Sequence, residues 1–114
     1  MQDIIGRLEL VGIKPDGITI DIVAQIGKPY SISQDEWACP VSLEPLYGKL
    51  HDAHGGDSFQ AICLAIGLIM NLLLCFVEDG GKLSLKGEET QASFPFDAYF
   101  SSAAKRFFAK TNST

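Results

Sequence analysis

The sequence predicts one α+β domain, in which an antiparallel β-sheet packs on one long buried helix and a C-terminal amphipathic helix closes the same core. Residues 18–26 alternate between apolar and polar side chains, which is typical of a strand with one face in water. Residues 61–77 contain Asn71 as their only polar side chain, which indicates a central helix. We place the domain over residues 1–110 and a frayed tail over residues 111–114.

The N-terminal residues predict a β-hairpin. A first strand over residues 4–11 carries Leu8 and Leu10 on one face, and the alternation over residues 18–26 predicts the second strand. One or two strands from later in the chain are expected to complete the sheet. The connection Lys14-Pro15-Asp16-Gly17 predicts a tight turn, because proline fixes φ and glycine accepts a positive φ.

The segment between the hairpin and the central helix is irregular. Pro40 and Pro45 interrupt it, since proline has no backbone N–H to donate. Residues 41–43 predict a short strand, and residues 46–53 predict a short helical turn.

The central helix has a clear start, with Asp57 as the expected N-cap and Gln60 completing a capping box. Its apolar run of about 26 Å is just short of a bilayer core, and the residues that flank it are acidic rather than basic. We therefore expect a core helix buried on nearly all sides, with a membrane span as the alternative. The stripe that should be least buried, or approached by another backbone at Gly67, comprises Gln60, Leu64, Gly67, Asn71, Leu74 and Glu78.

The C-terminal third predicts one strand and one helix. Residues 82–86 alternate, with Leu83 and Leu85 facing inwards. Apolar side chains then recur at helical spacing and basic residues follow them, as expected near a helix C-terminus. These apolar positions are Phe96, Tyr99, Phe100, Ala103 and Phe107.

Charge and cysteine content limit the classes of function. The 114 residues carry a formal charge of −5, which argues against binding to nucleic acid and to anionic membranes. Cys63 and Cys75 lie about 18 Å apart along one helix, beyond the reach of a disulfide, and no C-x-x-C pair is present. We expect the thiols of Cys63 and Cys75 to be buried and Cys39 to anchor a buried loop. The unpaired cysteines and the lack of an evident secretory signal predict a cytoplasmic protein.

Five short motifs, taken in their order along the chain, resemble a known family. They are Ile26-Gly27-Lys28-Pro29, Trp37-x-Cys39-Pro40, Gly56-Asp57-Ser58-Phe59-Gln60-Ala61, Gly80-Gly81-x-Leu83 and Phe94-Pro95. Together they resemble, over residues 3–96, a bacterial family of small proteins catalogued as a domain of unknown function. This resemblance implies no activity. The Phe-rich, Lys-ended closing helix is similar to that of some polymorphic-toxin immunity proteins.

No pattern reaches the strength of a catalytic signature. His51 and His54 are weak metal candidates with Asp57, but Gly55-Gly56 interrupts a helix there and the two histidines lack the i, i+4 spacing of a helical zinc site. Cys39 paired with either histidine would need an oxyanion hole that the sequence does not supply. We therefore expect no enzyme activity, no catalytic residue and no cofactor.

The acidic residues indicate a surface for a protein partner, which is predicted to comprise Asp35, Glu36, Trp37, Glu44, Glu88 and Glu89. An acidic patch steers a basic partner, and a tryptophan can anchor the interface. The leading hypothesis is an immunity protein that binds and neutralises a cognate protein toxin with a basic effector domain. Two alternatives are a homo-oligomeric module, such as a homodimer through the Gly67 stripe or a sheet edge, and a small metal enzyme that uses the His51/His54 loop.

Overall fold

The computed structural model describes residue 1, residues 3–88 and residues 93–100 of the chain. Its architecture is α+β, as predicted. The elements, in chain order, are β1 Ile4–Ile13, β2 Thr19–Gly27, β3 Tyr30–Ser33, β4 Glu36–Cys39, β5 Val41–Glu44, β6 Ala53–Gly55, α1 Ser58–Glu78, β7 Lys82–Leu85 and α2 Phe96–Tyr99.

The predicted hairpin forms the centre of a four-stranded antiparallel sheet, sheet 1, with the order β5-β2-β1-β7. Leu10 pairs with Ile22 across the hairpin, and both are fully buried. The turn uses Gly17 at a φ of +89°, and the backbone N–H of Ile18 donates to Asp16 Oδ1 at 3.0 Å. The two later strands expected from residues 41–43 and 82–86 occupy the two edges of this sheet.

A second antiparallel sheet, sheet 2, has the order β3-β4-β6 and was not expected from the sequence. The prediction of a helical turn over residues 46–53 is wrong. The chain instead closes a tight turn in which the Tyr47 N–H donates to the Leu43 carbonyl at 2.9 Å, and it then enters β6 at Ala53. Only the last residue of this segment, Ala53, pairs with β4, where it lies opposite Cys39.

The start of α1 confirms the predicted capping box. The Gln60 N–H donates to Asp57 Oδ1 at 2.7 Å, and Gln60 Oε1 accepts from the Gly56 N–H at 2.7 Å. The glutamine thus reaches one residue beyond the cap. The first contact satisfies an N–H group that the first turn of the helix would otherwise leave unpaired, and the second fixes the residue before the cap.

The helix is buried along one side, so the expectation of burial on nearly all sides is wrong. Ala61, Ala65, Ile69 and Leu73 are at most 7% exposed and recur every fourth residue. Both sheets lie against this single side, and no described layer covers the other one. Among the described helices, α1 is long and apolar enough to cross a membrane. The protein buries 22% of its 18-residue apolar stretch.

One-sided burial also corrects the prediction for two cysteines. Cys63 and Cys75 are exposed rather than buried, because both point away from the sheets. Cys39 is fully buried, although it lies in strand β4 rather than in a loop. Apart from the neighbouring backbone of α1 itself, no described atom lies within 4 Å of the position that a Cβ on Gly67 would take, so Gly67 faces open space rather than another backbone.

The C-terminal part of the described chain packs on the core beside β7. Phe94 is 4% exposed, its N–H donates to the Leu83 carbonyl at 2.8 Å, and its ring meets Phe96 edge-on at 4.9 Å. Helix α2 is one short turn, and the backbone is extended again at Phe100. The rest of the predicted last helix and the tail lie outside the described residues.

Candidate functional site

The register of sheet 2 sorts its side chains into two faces. Residues that pair directly across antiparallel strands share a face, so Tyr30, Ala38 and His54 lie on one side and Trp37 and Gly55 on the other. The Trp37 side belongs to the inner face, because Trp37 packs against the same core as α1. The Tyr30 side is therefore the outer face, and it points away from the helix.

One hydrogen bond spans the whole width of this outer face. The phenol of Tyr30, on β3, donates to Asp52 Oδ2 immediately before β6. The two strands lie two spacings apart, about 9.6 Å, so the tyrosine side chain has to extend across β4 between them. Ala38 lies on β4 beneath this path and is fully buried although it is not part of the main core. A small residue at this position lets the tyrosine reach Asp52.

The Tyr30–Asp52 contact changes the acidity of the phenol. The hydrogen bond to Asp52 raises the pKa of Tyr30 above its ordinary value of 10.0, with desolvation and the carboxylate charge acting in the same direction. The tyrosine is therefore neutral at physiological pH. Tyr30 remains 46% exposed.

A second contact links β4 with β6 on the same face. His54 Nδ1 lies 2.9 Å from Glu36 Oε2, and both side chains are about half exposed. Asp35 occupies the turn between β3 and β4, next to Glu36. We call the outer face of sheet 2, with Tyr30, Glu36, Asp52 and His54, together with Asp35 in the adjoining turn, the acidic sheet face.

The residues predicted to bind a partner are dispersed over the molecule. Asp35 and Glu36 lie on the acidic sheet face, whereas Trp37 faces the core and is half-buried. Glu44 ends β5 and Glu88 follows β7, which are the opposite edges of sheet 1. Glu89 lies outside the described residues.

The candidate metal and nucleophile groups are likewise kept apart. Within residues 3–88 and 93–100, no group of three His, Cys, Asp or Glu side chains is placed to hold a metal ion. His54 contacts Glu36, and Asp57 caps α1. Burial raises the pKa of the Cys39 thiol, with the Asp52 charge as a second cause, which disfavours the reactive thiolate.

Sequence reasoning missed the two side chains that define the acidic sheet face, Tyr30 and Asp52. A signal was present, because Tyr30-Ser31-Ile32-Ser33 alternates between large and small residues directly after Pro29, as a short strand does. Asp52 carries no comparable signal. Its role follows from the pairing of β6 with β4, which joins segments that are distant in the chain.

Fold and surface together define a small α+β domain, with two antiparallel sheets on one side of a long helix and an exposed acidic face on the second sheet. The chain belongs to the family described as domain of unknown function DUF6968, which matches residues 11–96. This confirms the family resemblance drawn from the sequence. Comparison with curated proteins and with solved structures gives no match.

Proposed function

We propose that this protein is a non-enzymatic, cytoplasmic protein-binding module that acts as an immunity protein, and that its acidic sheet face engages a basic domain of a cognate toxin. The supporting observation is that strand pairing brings Glu36 and Asp52 to the same outer face of sheet 2, with Asp35 in the turn beside Glu36. Pairing of three strands thus builds one acidic surface from two separate segments of the chain.

The charges on this surface are available to a partner. In the described part of the chain the ion pairs are Arg7–Glu9 and His54–Glu36, so neither Asp35 nor Asp52 has a lysine or arginine partner there. Acidic groups without such partners project a negative field that raises the rate of encounter with a basic protein. The association should therefore slow as salt screens that field.

The same surface offers an aromatic anchor. Tyrosine is enriched among the residues that dominate binding energy, because it combines a large rigid ring with a polar tip. Tyr30 is half-exposed and held at its hydroxyl by Asp52, so little conformational freedom is lost when a partner covers its ring. In the proposed mechanism, Tyr30 and the carboxylates occupy a basic active-site cleft and exclude its substrate.

The first experiment is affinity capture from the source cells, followed by mass spectrometry and by co-expression of the captured protein. We expect one stoichiometric partner with a basic catalytic domain, and cells producing that domain should survive only when this protein is present. Failure to capture such a partner, or survival that does not depend on this protein, would contradict the proposal.

Two matched double variants locate the binding face. Asp35→Lys/Glu36→Lys changes the acidic sheet face, and Glu44→Lys/Glu88→Lys changes the two edges of sheet 1. Each replacement of an acidic residue by lysine raises the net charge by two units, so both double variants change it from −5 to −1. We expect the first variant to slow association at least about tenfold and the second far less, since steering depends on where the charge lies. Equal effects of the two variants would argue against the acidic sheet face.

A further inference from the structure

The uncovered surface of α1 carries a line of apolar side chains beside its exposed polar residues Gln60, Asn71 and Glu78. Phe59 is 76% exposed, and Ile66 and Val77 are 38% and 39% exposed. Cys63 is also exposed, and Met70 and Leu74 are half-buried on the same side. Exposed apolar surface of this extent on one element marks an interaction site rather than ordinary surface. We call this set of side chains, Phe59, Cys63, Ile66, Met70, Leu74 and Val77, the outer seam.

The spacing of the outer seam is that of a helix–helix interface. Its residues follow one another at intervals of four, three, four, four and three. Alternating intervals of three and four keep apolar side chains in line along one side of a helix, which is the pattern that lets a second helix pack against it. Gly67 lies beside the seam with open space above it, so a second backbone can approach closely.

The seam is also complementary to itself. Its midpoint lies near position 68, and its members are placed about evenly on either side, as Phe59 with Val77, Cys63 with Leu74, and Ile66 with Met70. A two-fold axis through this midpoint would bring each residue against its counterpart on a second, antiparallel copy of α1. Isologous dimers have interfaces that are complementary to themselves in this way.

The polar residues beside the seam favour the antiparallel arrangement. A parallel pair would place Glu78 of one copy against Glu78 of the other. An antiparallel pair places Glu78 beside Gln60 and near the N-terminal end of the partner helix, where a negative charge is favourable. The side-chain oxygen of Gln60, Oε1, accepts from the Gly56 N–H, which leaves the side-chain NH₂ group of Gln60 to donate to Glu78 of the second copy.

We infer that the outer seam is the interface of a homodimer in which the α1 helices of two copies of this chain pack antiparallel about a two-fold axis near Gly67. The seam runs for about 27 Å along a helix about 10 Å wide. A strip of about 270 Å² on each copy is smaller than the interface of a permanent dimer, so this dimer should be weak and should dissociate on dilution. It is independent of the proposed toxin binding, because the two surfaces share no residue: the acidic sheet face lies on sheet 2 and its β3–β4 turn, and the outer seam lies on α1.

Sedimentation of the full chain over a range of concentrations tests the dimer. We expect a monomer in dilute solution and a dimer at high micromolar concentration. Ile66→Lys should remain monomeric throughout, whereas Ile18→Lys, which places the same charge at an exposed isoleucine of the hairpin, should dimerise like the native chain. Circular dichroism of both variants verifies that each is folded.

A cysteine cross-linking experiment tests the orientation. In a Cys63→Ser/Cys75→Ser background, Phe59→Cys and Val77→Cys are made as separate proteins. An antiparallel dimer gives a disulfide-linked dimer only when the two proteins are mixed. A parallel dimer links each protein with itself, which would overturn the arrangement.

A native chain that stays monomeric at every concentration would overturn the proposal. Two other occupants of the seam are then distinguished. Binding of that monomer to phosphatidylcholine vesicles would assign the seam to a lipid surface. Dimerisation only after deletion of residues 101–114 would assign the seam to the chain's own C-terminal segment. Neither result would affect the toxin-binding test, which changes no residue of the outer seam.

Discussion

Two leucines on α1 offer a direct test of its single buried side. Leu73 is fully buried in the core, whereas Leu64 is 48% exposed. Replacement of Leu73 by alanine removes three carbon atoms from the core, worth about 2.4 kcal/mol at about 0.8 kcal/mol per buried methylene. The cavity left behind raises the expected loss to about 3–4 kcal/mol. A domain of this kind has about 5–15 kcal/mol of stability in total, so the loss is large.

Leu64→Ala deletes the same atoms from the same helix and serves as the matched control. Because about half of this side chain is already in water and alanine favours helix formation, we expect a loss below about 1 kcal/mol. Both values come from urea unfolding followed by circular dichroism, at a concentration where the protein is monomeric. Equal losses for the two variants would refute the assignment of one buried and one exposed side.

Two further predictions concern ionisation. The hydrogen bond to Asp52 raises the pKa of Tyr30, so it stabilises the fold below pH 10 and this contribution is lost as the pH rises through the raised pKa. In an ultraviolet pH titration Asp52→Asn should therefore lower the pKa of Tyr30, and Tyr30→Phe should remove that transition; an unchanged titration in Asp52→Asn would exclude the bond. Cys63 and Cys75 should react rapidly with a chromogenic disulfide in the native protein, and Cys39 only after unfolding; three rapid thiols in the native protein would contradict the burial of Cys39.

The two proposed surfaces would have different consequences in the cell. A dimer through the outer seam uses none of the residues of the acidic sheet face, so one dimer could bind two partner molecules. The capture and sedimentation experiments together then give the stoichiometry of the assembly. A toxin that binds only the monomer would instead indicate that its own binding site overlaps the seam.

Local patterns were sufficient for the elements whose signals lie close together in the chain. The hairpin follows from alternation on both sides of a proline–glycine turn, and the start of α1 follows from Asp57 and Gln60, three residues apart. Leu83 is buried and Leu85 half-buried, as the alternation over residues 82–86 predicted. Each of these features depends on contacts within a few residues, so local sequence patterns are enough to predict it.

The acidic sheet face could not be predicted in the same way. Asp35 and Glu36 were recognised as candidates, but their neighbours Tyr30 and Asp52 were not, since 22 residues separate the two partners of that hydrogen bond. Trp37 was expected to anchor a partner on the same face. Alternation along β4 places it on the opposite side, against the core.

The sequence by itself determined the class of fold, the hairpin, the capped central helix and membership of the family. Only the tertiary structure decided which side of the helix is covered, because an apolar run has the same composition whether a second layer packs on it or not. It also decided which acidic residues meet, since strand pairing joins residues that are distant in the chain. The outer seam and the acidic sheet face both arise at this level, where long-range packing selects among local patterns that are equally compatible with the sequence.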